Sequence, residues 1–457
     1  MDLHISAVTK AQDGELSKDD LKEMIVHCGV NAGISQCRET FLDGQVKDRK
    51  KAEKRFHGCI KRGHMSVADH AMVEVVFEKA SRMMAMVMNS LQFNATTEKS
   101  GRYTEMEGDD KKQQALYDKW NAIFKKRVLE EYPDYNDKFI EKELAKRGCR
   151  CSVANGVSDA PDGMMEEVMA LPNLPSNTRS QENARYVLSI FTKSTAFGYT
   201  TSLAQWNYIY DWCRRYIGQF VRSTDGVLRR MEEGRGWRAA TLFEARLLED
   251  FKELSEFIHK YLYVENLRDH KKRCFSMLTQ IAEPGHPLAG YAPEDEHFGF
   301  SYCTAYEGSF ILLSHLHRHR TITYWMDMGQ QLGFYIPKPI RGTEYEDEWL
   351  KDLESIKSEY PQATLVRIIE AGTLDDFVLK TSERLCGCAM LETMENVRDT
   401  AMKFVRAAKD GGTPLMESYV SQFYDFGKGR LKTKDLITDG CIEGCYFGCG
   451  RAIDRNV

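Results

Sequence analysis

The sequence predicts an α+β chain made of two diverged repeats, and three observations carry that prediction. Its 457 residues exceed the usual size of one domain, so two cores are expected. A strand-like stretch that runs straight into a buried helix occurs twice. AMVEVVFEKA (71–80), alternating at Val73, Val75 and Phe77, precedes SRMMAMVMNSLQF (81–93); FGFSYCTAY (298–306) precedes EGSFILLSHLHRHR (307–320). The two copies can also be laid on one another at an offset of roughly 228 residues with one single-residue slip. Asp69-His70 then falls opposite Glu296-His297, Ser81 opposite Ser309, and Ala95-Thr96 opposite Thr323-Tyr324.

The remaining elements follow from local chemistry. Residues 17–29 read as a helix with Ser17 as N-cap, acids in the first turn and Gly29 as the stop. Residues 47–62 read as a basic helix, and 94–103 as a loop. Residues 112–147 are two charged helical segments broken at Tyr132-Pro133, and 148–181 lack periodicity and read as a long loop. The pattern is helical from 199 to 262; EPGHPLAGYAPEDE (283–296) is the best linker. A loop of aromatics, Pro and Gly is expected over 321–342, and helices over 345–358, 374–388 and 390–409. The expected division is 1–282 and 283–457, with a helical insertion at about 110–181 in the first part and a Cys-rich tail at 441–450 in the second.

Composition bounds the partners. A net charge of −5 argues against a nucleic-acid polymer, although local arginines still suit small anions. No apolar run reaches the ~18 residues of a membrane span. MDLHISAVTKAQDGE lacks a basic segment followed by an apolar one, so no secretory signal and a cytoplasmic location are expected. The 13 cysteines then read as reduced thiols or a metal site rather than disulfides. Cys441, Cys445 and Cys449, set among glycines, could hold zinc with Cys386 or Cys388 as a fourth ligand; packed thiols are the alternative.

Two constellations carry chemistry. His315-Leu316-His317-Arg318-His319-Arg320 closes an apolar helix. Such residues complement a helix C-terminus, or bind phosphate and an anionic flavin ring through fixed guanidinium donors. On a strand, His315, His317 and His319 could instead ligate a metal, which would suit a hydrolase. In the first half, Glu98-Lys99-Ser100-Gly101-Arg102-Tyr103 is either a polar turn or a loop that wraps a nucleotide monophosphate.

In order along the chain, His64-Met-Ser66-Val-Ala-Asp69-His70, Ser81-Arg82 and Glu98-Lys-Ser100-Gly-Arg102-Tyr103 resemble the flavin-dependent thymidylate synthase family. That family carries His-x-Ser-x-x-Glu-His, Ser-Arg, and Arg-His-Arg-x-x-Ser-x-Asn-Glu-x-Ser-x-Arg-Tyr. Ser90-Leu91-Gln92 stands where Arg-His-Arg should begin. The second half has Arg318-His319-Arg320 nine residues after Ser309, but Met328-Gly-Gln330-Gln331 in place of Ser-x-Arg-Tyr. Each half keeps what the other lacks. Asp69 replaces the family's Glu, Val87 and His315 occupy its Gln position, and Trp325-Met326 replace Asn-Glu. Asn183-Ala184-Arg185-Tyr186-Val187-Leu188 is similar to its Ala-Arg-x-x-Leu-Pro segment, with Ser189 for the proline. Ser382-Glu383-Arg384, Ala389 and Glu395-Asn-Val-Arg398 are similar to its last helix, with Arg214 as a first-half counterpart of Arg384.

The resemblance implies two pseudo-equivalent repeats, each a small, mainly antiparallel sheet with helices. It implies FAD, with methylene-tetrahydrofolate and NADPH as co-substrates and dUMP converted to dTMP or a similar product. Glu98, Ser100, Gly101, Arg102, Tyr103, Arg185, His315, Arg318 and Arg384 would bind the nucleotide, with Arg318 and Arg384 catalytic. Ser66, Asp69, Glu296, Arg318, His319 and Arg320 would hold the flavin. In the family the site lies between subunits, so a homodimer mimicking a tetramer of single repeats is expected. The alternatives are another C5 alkylation such as hydroxymethylation, the metal-dependent hydrolase, and an inactive nucleotide-binding assembly protein.

Overall fold

The computed structural model describes residues 18–35, 48–62, 64–91, 93–99, 108, 110–193, 195–232, 234–267, 301–319, 321–327, 331–385, 389–410 and 414–432. It is mixed helix and small antiparallel sheets. The elements are α1 (Lys18–Ser35), α2 (Arg49–Lys61), β1 (Met72–Ala80), α3 (Arg82–Asn89), β2 (Ala95–Glu98), α4 (Lys111–Glu131), α5 (Asp137–Lys146), β3 (Cys151–Ser152), β4 (Val157–Ser158), α6 (Met164–Met169) and α7 (Pro175–Ala184). There follow β5 (Thr195–Ser202), α8 (Leu203–Ile217), β6 (Phe220–Arg222), β7 (Leu228–Glu232), β8 (Gly236–Ala239), α9 (Leu242–Tyr261), β9 (Ser301–Ser309), α10 (Phe310–Leu316) and β10 (Thr323–Asp327). The last are α11 (Tyr345–Glu354), β11 (Leu365–Thr373), α12 (Leu374–Arg384), α13 (Leu391–Lys409), α14 (Pro414–Phe423), β12 (Tyr424–Asp425) and β13 (Arg430–Leu431). No described helix is long and apolar enough to cross a membrane.

The chain divides into one unit of residues 1–78, 93–98 and 196–274, and another of 79–92, 99–195 and 275–457. In the first, the sheet order is β1-β5-β2, with β2 antiparallel to β5 from Ala95 opposite Thr200 to Glu98 opposite Phe197. Trp206 on α8 is fully buried and its indole N–H donates to the Val73 carbonyl at 3.1 Å, so the ring's one polar group is satisfied. Gly29 does not stop α1, as the sequence suggested; the helix runs on to Ser35. A Cβ on Gly29 would sit 2.0 Å from the Ala52 carbonyl oxygen, so the glycine serves a close helix crossing.

In the second unit the sheet order is β10-β11-β9, both pairings antiparallel. Its core gathers Trp120 and Phe124 of α4 with Trp349 of α11, the two indoles edge to face at 4.8 Å. Trp120 donates to Asp352 at 2.9 Å and Trp349 to the Tyr335 carbonyl at 2.9 Å.

Several expectations need correction. The 94–103 stretch contains β2, and 321–342 contains β10, whose Tyr324 and Met326 are buried. The helical reading of 199–262 overlooks the end of β5 and the meander β6-β7-β8. The supposed loop 148–181 holds a β3-β4 hairpin, α6 and most of α7. The helices expected over 345–358 and 374–388 end at Glu354 and Arg384.

Candidate functional site

The best-defined polar assembly lies in the second unit, at the C-terminal end of α10. β9 delivers Ser309, whose hydroxyl accepts from the Leu312 amide at 3.1 Å and so caps the helix that follows. Every residue from Phe310 to Leu316 is buried, and the five apolar side chains among them pull the His-rich end of α10 inward. A tight turn then returns the chain to β10: the His319 amide donates to Leu316 at 2.9 Å, and the Ile322 amide to His319 at 3.1 Å.

The three histidines have separate environments. Arg185 Nη2 lies 3.1 Å from His315 Nε2, and Arg384 Nε donates to His319 Nε2 at 2.8 Å. A guanidinium has no acceptor, so both imidazoles present an Nε2 lone pair and are neutral. Burial first, then the charges of Arg384 and Lys380, push His319 down to about 2. His317 is pushed down to about 3 by burial alone; it meets the edge of Tyr324, and neither of its ring nitrogens has a hydrogen-bond partner. The expected His315-x-His317-x-His319 metal set is therefore not formed. Two of its lone pairs face arginines, and no group of three or more potential ligands occurs among the described residues.

Around this end converge positive charges. Arg82, at the first turn of α3, and Arg185, in the turn after α7, are buried, whereas Arg318 is exposed. Arg82 feels the other two: it is pushed down to about 9 by burial first and then by Arg185 and Arg318. A guanidinium so perturbed still keeps its proton at neutral pH, so the cluster is a standing positive potential suited to phosphate.

Sequence reasoning missed the framework behind these groups. Glu392, on the first turn of α13, accepts from the Ser309 amide at 3.0 Å, the Ser309 hydroxyl at 2.6 Å and the Tyr186 hydroxyl at 2.6 Å. Glu370 of β11 accepts from Lys380 Nζ at 2.5 Å, Tyr302 at 3.0 Å and Tyr306 at 2.5 Å, beneath the helix that ends in Arg384. Both carboxylates lie on segments whose local pattern reads as ordinary core. Only Arg82 carried a signal, as the second residue of Ser81-Arg82.

Of the site residues expected from sequence, Arg185, His315, Arg318, His319 and Arg384 fall in the second unit with the contacts just given. Ser66 and Asp69 lie on a 3-10 turn of the first unit, where Asp69 accepts from the Ser202 hydroxyl that caps α8. Glu98 ends β2 in that unit. Ser100, Gly101, Arg102, Tyr103, Glu296, Arg320, Cys441, Cys445 and Cys449 lie outside the described residues.

No curated protein matches the chain. A family match exists for the N-terminal part and stops before the histidine cluster at 315–319. It is residues 23–211, which carry Ser66, Asp69, Arg82, Glu98 and Arg185, that match the family model described as Thymidylate synthase complementing protein.

Proposed function

We propose that the chain is a flavin-dependent enzyme that methylates C5 of a uracil-type deoxynucleotide, converting dUMP to dTMP with methylene-tetrahydrofolate as carbon donor and NADPH as reductant. The observation that carries this reading is the 3.1 Å contact between Arg185 and His315, with Arg82 feeling the charges of both Arg185 and Arg318. It joins an arginine of the family-matched segment to the helix that leads into the Arg-His element of the second half. Arg82 and Arg185 would take the phosphate, where fixed guanidiniums give short, charge-assisted hydrogen bonds. Arg318 would bridge nucleotide and flavin. The donor set fits a flavin: Arg318 and the Nδ1–H that a neutral His319 retains both suit the electron-rich edge of a reduced ring. Bound FAD supplies the hydride that completes the transferred carbon as a methyl group. Arg384 would polarise the pyrimidine so that C5 accepts the carbon, its own orientation set by His319 Nε2 at 2.8 Å. Glu98, Ser100, Gly101, Arg102 and Tyr103 would close over the nucleotide, and Ser66, Asp69, Glu296 and Arg320 would serve the flavin.

The reading includes two diverged repeats. In support, each three-stranded sheet places its last strand in the centre, β5 in one and β11 in the other. Ser81 caps α3 as Ser309 caps α10, and Ser202 caps α8 as Thr373 caps α12. Counting from these caps sets Val87 opposite His315, Ser90 opposite Arg318, Leu91 opposite His319 and Cys213 opposite Arg384, which puts the expected counterpart Arg214 one residue out of register. Cys213 is fully buried, and burial pushes its thiol far up, so it replaces a cation with an inert group. One working site per chain follows, and two chains would supply the four repeats of a tetramer.

Purified protein should be yellow and should turn over dUMP with methylene-tetrahydrofolate and NADPH, and Arg185→Ala should abolish turnover. Colourless protein that neither takes up FAD nor turns over would overturn the proposal. Turnover unaffected by Arg185→Ala would remove Arg185 from the site.

A further inference from the structure

We infer that Glu392 is a positioning residue that sets both arms of the Arg185–His315 pair at once. The inference rests on the reading of that pair as part of a nucleotide site. Glu392 is buried, and its two oxygens receive three donors from two separate segments. On one side, Tyr186 O–H donates to Oε2 at 2.6 Å, and Tyr186 is the immediate neighbour of Arg185. On the other, the Ser309 amide donates to Oε1 at 3.0 Å and its hydroxyl to Oε2 at 2.6 Å. The same Ser309 oxygen accepts from Leu312, so the carboxylate holds the cap from which α10 carries His315, six residues on. Met390, two residues before Glu392, receives Arg185 Nη2 at 3.1 Å on its sulfur, which lies 3.7 Å from the Tyr186 hydroxyl oxygen. One helix start therefore grips the arginine's turn and the histidine's helix together.

A carboxylate is the group this position calls for. It accepts only, and with all three neighbours donating every hydrogen points inward, fixing the two hydroxyl rotors. Burial raises the Glu392 carboxyl, and the hydrogen bonds from Ser309 and Tyr186 oppose that shift. Ground-state arms held this way would meet a phosphate without reorganising, whereas loosened arms would first have to be ordered.

The test is dUMP binding by calorimetry to FAD-loaded protein, in a double-mutant cycle of Glu392→Ala with Arg185→Ala, alongside Glu392→Gln and Tyr186→Phe. The expected result is a Kd raised at least tenfold by Glu392→Ala and less than twofold further when Arg185 is already alanine. Tyr186→Phe, which removes one donor, should give an intermediate loss, and so should Glu392→Gln, whose amide nitrogen cannot accept. A purely structural role would give the same fold-loss in both Arg185 backgrounds, or lowered thermal stability with unchanged Kd; either overturns the inference. Should the alanine variant not fold, Tyr186→Phe and Glu392→Gln carry the test, and wild-type Kd in both refutes it. A wild-type protein that binds no dUMP overturns the functional reading and this inference with it, and that outcome is distinct from normal binding with insensitive variants.

Discussion

At the scale of single residues, the cluster keeps neutral histidines and charged arginines in close company. His317 makes the electrostatic consequence measurable. Above pH 6.5 it is neutral whether folded or not, and it contributes nothing. As the pH falls from about 6.5 toward about 3, the unfolded chain binds a proton that the buried ring cannot, so stability is lost; His319 acts in the same direction. Well below 6.5 the loss approaches ~1.4 kcal/mol per pH unit for each such group. Urea unfolding at pH 7 and pH 5 should show the decline, and His317→Phe should flatten it. Because the variant removes two unpartnered buried nitrogens, which cost ~1–3 kcal/mol, it should be at least as stable as wild type at pH 7. Marked destabilisation at pH 7 would mean that His317 has a polar role. Residue types at the site were legible to the extent that a motif carried them: a motif singled out Arg185, His315, His319 and Arg384, and the structure pairs Arg185 with His315 and Arg384 with His319. Glu392 was not legible, because its partners lie 83 and 206 residues away in sequence and only the fold joins them.

At the scale of elements, the strand–cap–helix passages were readable because alternation, a serine cap and a buried apolar helix all agree at 71–93 and again near 301–316. α7 was unreadable for the opposite reason. Its sequence PSNTRSQENA has almost no apolar residue, yet Ser176, Thr178, Arg179, Ser180, Gln181 and Glu182 are buried. Polar pairing replaces hydrophobic periodicity there: Arg179 meets Glu182 at 2.9 Å and Tyr135 at 2.8 Å, and Asn136 bonds Ser176 at 3.0 Å. β10 was hidden because an aromatic-rich stretch with Pro and Gly beyond it reads as a loop until β11 pairs with it. The α1–α2 crossing gives a test at this scale. Gly29→Ala would drive a Cβ against the Ala52 carbonyl, and the helices must separate. A loss of ~1–3 kcal/mol is expected, read as a lower thermal midpoint. An unchanged midpoint would show that the two helices do not approach so closely.

At the scale of the whole molecule, the proposed duplication would leave a choice between two weak sites and one strong one. The replacement of Arg384 by Cys213 and of His315 by Val87 at matching distances from the caps favours one. The most direct measurement is the stoichiometry of dUMP binding to FAD-loaded chain by calorimetry, for wild type and Arg185→Ala. The account predicts one dUMP per chain, bound at least tenfold more weakly after the substitution; two per chain, or one bound as tightly without Arg185, would contradict it.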